Sequence, residues 1–188
     1  MKFGIGLFGM QTHGDLPYEH PELYKNSLEQ VRLAESVGFD SAWISEHHFL
    51  GDGYCPSPAV AAAAMAAVTS KIRIGSAGII LPLQNPVRVA EDAAVVDNIS
   101  NGRFDLGVVL GYRKEEYDGM GVSMKQRPSR MEEGLEVLGK ALSGEKFSYD
   151  GARFKYETTT VTPKPVQKPV PLYVGAFEEP AIRRAGRF

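Results

Sequence analysis

One cysteine in 188 residues, Cys55, leaves no partner for an internal disulfide. That usage suits a reducing compartment, so a cytoplasmic location is expected and Cys55 reads as a small packed residue. Charge of one sign is also lacking. Lys and Arg number 21 against 23 Asp and Glu, a formal net charge of −2, which gives no electrostatic reason to expect nucleic acid or an anionic membrane as partner. Long apolar runs are missing as well. The longest, residues 59–68, suits a buried helix and is too short to span a bilayer. Met1-Lys2 leads straight into a short alternating run, with no signal-peptide pattern. No G-x-G-x-x-G follows that first run, which weakens a dinucleotide-fold reading.

What is present is an alternation of strand-like and helix-like segments. Lys2 to Phe8 alternates in strand fashion, and a loop is expected over residues 13–21. Pro21 then opens a helix carrying Tyr24, Leu28, Val31, Ala34 and Val37 on one stripe, stopped by Gly38. Ser41 to Ser45 reads as the second strand, with Glu46-His47-His48-Phe49 at its C-terminal end. Ser57-Pro58 starts an alanine-rich helix that runs to about Val68. Residues 72–81 form the third strand, Asn85-Pro86 opens a helix closed by Asn101-Gly102, and residues 103–111 form the fourth strand. A capping box at Ser129 and Glu132 predicts the start of the next helix, which Gly144 ends. A hairpin turning at Asp150-Gly151, a proline-rich connection, a short fifth strand at 172–176 and a final helix from Glu178 complete the order.

The fold class is therefore α/β: about five βα units with a β-hairpin inserted before the fifth strand. A closed (β/α)8 barrel needs eight strands, so the expectation is a TIM-barrel type wall, incomplete over these residues, with the strands side by side in sequence order. Ligands of such sheets bind at the C-terminal strand ends, where Glu46, His47 and His48, the small run Gly75-Ser76-Ala77-Gly78, and Gly111-Tyr112 fall. Adjacent histidines point to opposite faces of a strand, so no metal site is assigned to them. A structural, hydrogen-bonded pair and acid/base chemistry on a bound ligand both remain open. The glycine-rich run fits equally a close strand contact or a flat ligand lying on bare backbone. Arg113 and Lys114 could meet a phosphate but read as a solvated loop, and Glu115-Glu116 makes an anion site there less attractive.

The segments KFGIGLF, GFDSAWISEHHF, the long stretch from SPAVAAAAMAAV through PVRVAED to NGRFDLGVVLGY, and PLYVGAFEEPAIRRAG are familiar in combination. The sequence resembles the bacterial luciferase-like monooxygenase family of flavin-dependent oxidoreductases. The resemblance implies a single luciferase-like barrel domain over 1–188, truncated at its C-terminus, with reduced FMN or in some branches a deazaflavin as cofactor. It implies oxidation of a small organic substrate with O2, or hydride transfer in the deazaflavin branches. A non-catalytic half-barrel that binds flavin weakly is the other alternative. By match to the family motif, His47 is the catalytic histidine and His48 its neighbour. Glu46, Ser76, Ala77, Gly78, Val109, Gly111 and Ala176 fall on the cofactor side, with a non-prolyl cis peptide at Ala77–Gly78. Val109 and Leu110 stand where luciferase has a reactive cysteine and a phosphate-contacting arginine, which argues against a light emitter. A homodimer through helices 57–68 and 86–100 and a flavin reductase as supplier of reduced flavin complete the expectations.

Overall fold

The computed structural model describes residues 1–7, 10–12 and 19–188. The end of the first strand-like run at Phe8 and most of the expected loop, residues 13–18, lie outside the described residues. Among the described residues, eight strands and six α-helices follow in chain order: β1 (Gly4–Gly6), α1 (His20–Ser36), β2 (Ser41–Ile44), α2 (Pro58–Ala67), β3 (Arg73–Ser76), β4 (Ile79–Ile80), α3 (Pro86–Ser100), β5 (Phe104–Val109), α4 (Lys114–Gly119), α5 (Arg127–Leu142), β6 (Phe147–Asp150), β7 (Lys155–Thr159), β8 (Leu172–Val174) and α6 (Glu179–Ala185).

The wall is parallel throughout. β1 pairs with β2, β2 with β3, β3 and β4 both with β5, and β5 with β8. This is the expected sequential order, and it leaves a partial barrel. The expected third strand over 72–81 is split into β3 and β4, which flank the cis peptide Ala77–Gly78. Burial alternates along β1, β2 and β8 as the pleat requires, whereas β3 from Ile74 onward and β5 as far as Val108 are buried on both faces. Ala42, Ile44, Ile74, Leu106 and Val108 are fully buried beneath the helices. The helices answer with small residues, Ala61, Ala62 and Ala66 on α2 and Ala90, Ala93 and Ala94 on α3, so three of the seven alanines of α2 serve close packing within the subunit. The outer side of the same pair keeps Val60, Val95 and Ile99 exposed.

Helix ends show where local chemistry was legible. Asn85 Oδ1 accepts from Val87 N at 3.0 Å and Arg88 N at 3.3 Å, an N-cap as expected. Asn101 closes α3 in the left-handed region at φ 54°. Two expectations are corrected. α5 begins at Arg127, two residues before the proposed cap, and Ser129 Oγ instead donates back to Gln126 O. Pro128, free of an N–H in the first turn, is the better start signal. Residues 114–119 form α4 rather than a loop, braced by the Lys114–Asp118 pair. The hairpin β6–β7 forms, but its turn is longer than Asp150-Gly151, with Gly151 N bonded to Phe154 O.

Candidate active site

The alternation that buries β2 against the helices continues past its last residue. Ala42, Ile44, Glu46 and His48 share the covered side, while Ser45 and His47 face the open side of the wall. The two histidines therefore diverge, and each finds its own carboxylate. His48 Nε2 lies 2.6 Å from Glu46 Oε1, two residues back on the same face. Glu46 also accepts from Ile80 N at 2.6 Å and Gln84 Nε2 at 3.1 Å. Both of its oxygens are thus engaged, and the group ties the end of β2 to the segment just after the Ala77–Gly78 bend.

His47 Nδ1 lies 2.8 Å from Glu116 Oε1, which also accepts the backbone N–H of His48 at 3.0 Å. An oxygen already accepting one N–H is placed to accept a second, so the ring proton sits on Nδ1 and Nε2 is left to act as an acceptor. Glu116 is completely buried, yet its Oε2 has no hydrogen-bond partner among the described residues. Edge-on contacts with Tyr54 (centroids 4.7 Å apart) and Tyr112 (6.0 Å) fix the imidazole plane. Tyr54 is itself held by a hydrogen bond to Ser45.

His47 borders a cavity of about 320 Å³ at the C-terminal strand ends. Glu46, Ala77, Gly78, Val109, Gly111 and Ala176 line it with His47. Seven of the nine expected site residues therefore meet in one place. The other two lie behind it. His48 is buried against Glu46, and Ser76 exchanges two hydrogen bonds with Gly107, donating to its O at 2.9 Å and accepting from its N at 2.8 Å. Part of the glycine run answers to strand packing: a Cβ on Gly75 would stand 2.2 Å from the Trp43 ring, and one on Gly78 would stand 2.9 Å from the Gly107 backbone. Ala77, by contrast, is exposed to the cavity. Ten of the lining residues were not among the expected site residues, and two of these are Glu116 and Arg127. Glu116 read as part of a polar loop, and its burial depends on a histidine 69 positions away, a separation no local pattern reports. Arg127 was taken as preceding a helix that in fact it begins.

The lining suits a flat ring system. It is largely apolar, with little side-chain bulk at Ala77, Gly78, Gly111 and Ala176 and an imidazole at its edge. A sequence profile described as luciferase-like monooxygenase matches residues 1–188. The chain belongs to the luciferase-like monooxygenase family. The alkanal monooxygenase alpha chain of the Kryptophanaron alfredi symbiont is 32% identical over 177 residues, 94% of this chain and 49% of that one. The oxygenase component of flavin-dependent trigonelline monooxygenase of Acinetobacter baylyi is 30% identical over 158 residues, 82% of this chain and 44% of that one. Among solved structures, the monooxygenase RslO1 from Streptomyces bottropensis superposes with a TM-score of 0.89 at 30% identity, covering 96% of this chain and 55% of that one. The chain spans about half the length of the curated relatives it matches. Family membership accounts for the wall and its ordered strands. Among the described residues, no helix is long and apolar enough to cross a membrane.

Proposed function

We propose that these residues form one wall of the active site of a flavin-dependent monooxygenase, oxidising a small organic substrate with reduced FMN and O2. The observation that carries this is the His47–Glu116 pair at the edge of a largely apolar cavity, and it is supported by the flavin-dependent oxygenase among the relatives. The residues fit the cofactor: Ala77, Gly78, Val109, Gly111 and Ala176 present little bulk to an isoalloxazine ring. Bound there, reduced flavin supplies the electrons that O2 accepts.

The protein's part is proton handling and shelter. His47 Nε2 takes or gives a proton at the reacting centre, while Glu116 holds the ring by Nδ1 and stabilises its protonated form. His48 does not reach the cavity; through Glu46 it fixes the backbone at Ile80, and with it the shelf at Ala77–Gly78. The apolar lining limits water around the ring. A flavin reductase is the proposed source of reduced cofactor, in keeping with the term oxygenase component in that relative's name. A homodimer through the exposed Val60, Val95 and Ile99 of α2 and α3 is checked by light scattering at micromolar concentration.

The test is a titration of the purified protein with FMN and with a deazaflavin, followed by oxygen consumption with chemically reduced cofactor. FMN binding with oxygen uptake supports the reading. Binding of the deazaflavin alone replaces oxygen chemistry with hydride transfer, and failure to bind either removes the flavin assignment.

A further inference from the structure

Ser45 lines the same cavity as His47 and comes two residues before it, on the same face of the chain at the end of β2. The strand register sets it beside the glycine-rich shelf. Ile44 pairs with Ser76, and Ala77 N donates to Ile44 O, so Ser45 comes abreast of Ala77. Its hydroxyl is hydrogen-bonded to the hydroxyl of Tyr54. The Tyr54 ring in turn stands edge-on to the His47 imidazole, with 4.7 Å between centroids. One tyrosine thus braces two polar groups of the cavity wall, although it does not line the cavity itself.

Fastening the loop after β2 does not account for the Ser45–Tyr54 bond. That loop is already held by His47 N to Cys55 O at 3.3 Å, Gly53 N to Leu50 O at 3.2 Å and Tyr54 N to Asp52 Oδ1 at 3.1 Å. A serine hydroxyl carries one proton and two lone pairs. With Tyr54 donating, one lone pair is used and the Ser45 proton is left to point into the cavity. The lining around it includes Ala77, Val109, Gly111 and Ala176, whose side chains offer no acceptor. Once water is displaced, that proton meets an acceptor on whatever is bound there.

We propose that Ser45 is a hydrogen-bond donor to the flavin ring lying against Ala77 and Gly78, and that Tyr54 is the positioning residue that aims it; the assignment rests on the flavin reading above. A chain running from Tyr54 through Ser45 to a ring acceptor aligns its dipoles, so each bond strengthens the next. Tyr54 therefore acts on the ring only through Ser45.

Fluorescence titrations with oxidised FMN are made on the wild type, Ser45→Ala, Tyr54→Phe and the double variant, with visible spectra of the bound flavin alongside. Tyr54→Phe removes only the hydroxyl and keeps the ring beside His47. Ser45→Ala weakens FMN binding about three- to tenfold, the span of one neutral hydrogen bond, and shifts the visible absorption band of the bound flavin. Tyr54→Phe alone weakens binding about two- to threefold. The double variant binds FMN as Ser45→Ala does, because the tyrosine effect needs the serine; its binding also reports an intact fold. Affinity or spectrum unchanged in Ser45→Ala overturns the ring contact. An equal loss from Tyr54→Phe in both backgrounds overturns the positioning role and assigns the tyrosine to the loop. A wild type that does not bind FMN overturns the flavin reading and the assignment with it.

Discussion

The two ends of the parallel wall treat polar groups differently. At the N-terminal end, Glu35 Oε1 accepts three successive backbone N–H groups, from Ser70, Lys71 and Ile72 at 2.6–2.9 Å. Arg103 donates to Ser100 O, Ile72 O, Ala66 O and both oxygens of Thr69. Arg73 grips Asp105 with two bonds and reaches Gln167, which in turn is held by Asp97. At the C-terminal end, among the described residues, Glu116 Oε2 is buried and unpaired, Arg127 lines a cavity without an acceptor, and the lining aromatics Tyr112 and Phe177 are exposed. Closed networks hold shape; open valences await something to bind. One end maintains the wall and the other is arranged for chemistry.

That division predicts that substitutions at the mouth affect turnover while those at the base affect stability. The largest effect is expected at His47. In a preparation that turns over, His47→Ala lowers the rate by ~10²–10⁴, the span for loss of a general acid or base, with little change in the melting temperature. Unchanged turnover in a folded variant would remove His47 from the catalysis. The reverse is expected of Arg103→Met, which strips five acceptors of their donor and costs about 3 kcal/mol in urea unfolding. Flavin affinity of the folded fraction is unaltered; a parallel loss of affinity would show that the two ends are coupled.

Glu35 sharpens the comparison through pH. Burial works to raise its carboxyl, but the N–H groups of Ile72, Lys71 and Ser70, with Arg103 nearby, bring it net below the ordinary glutamate range. A lowered carboxyl stabilises the fold above its unfolded value of ~4.3, and that stabilisation is lost as pH falls through the folded value. The wild type should therefore exceed Glu35→Gln by about 1–2 kcal/mol near neutrality, discounted for partial exposure. The gap should close in urea titrations carried below about pH 4. A gap independent of pH would assign the effect to shape rather than charge.

Much of the wall was legible because its signals are local. The pleat alternation of residues 41–48, the stripe of α1, the Asn85 cap and the Asn101-Gly102 stop all act within a few positions. The same alternation, carried past β2, separates His47 from His48 and lets Glu46 pair with the latter. The division of residues 72–81 into two strands was not written in their β propensity, since both halves are apolar and suited to a sheet. α4 was missed because Lys-Glu-Glu-Tyr-Asp-Gly is polar and short, and what anchors it is the burial of Glu116 against the distant His47 and of Tyr117, whose hydroxyl donates to Leu110 O. The place of the cavity at the C-terminal strand ends was expected from position; its charge pairing was not, because pairing across dozens of residues is a property of the fold.

The smallest effect is expected at Cys55, which lies between the two regimes. Its carbonyl accepts the His47 N–H at 3.3 Å, so its backbone supports the mouth. Its side chain does not line the His47 cavity and is 2% exposed. Burial pushes the thiol up, against lowering by the Ser57 N–H and the Tyr24 hydroxyl, and the Glu46 charge adds to the rise. Because the thiolate is the nucleophile, the folded protein should react slowly with an aromatic disulfide reagent at neutral pH. The rate should climb only with urea, following the population of opened molecules. Cys55→Ala keeps the backbone contact and leaves a small void, so it should cost about 1 kcal/mol and leave turnover within about twofold. Stoichiometric labelling within minutes in native buffer would show that the wall behind His47 opens readily, and would move Cys55 from the packed part of the molecule to its reactive end.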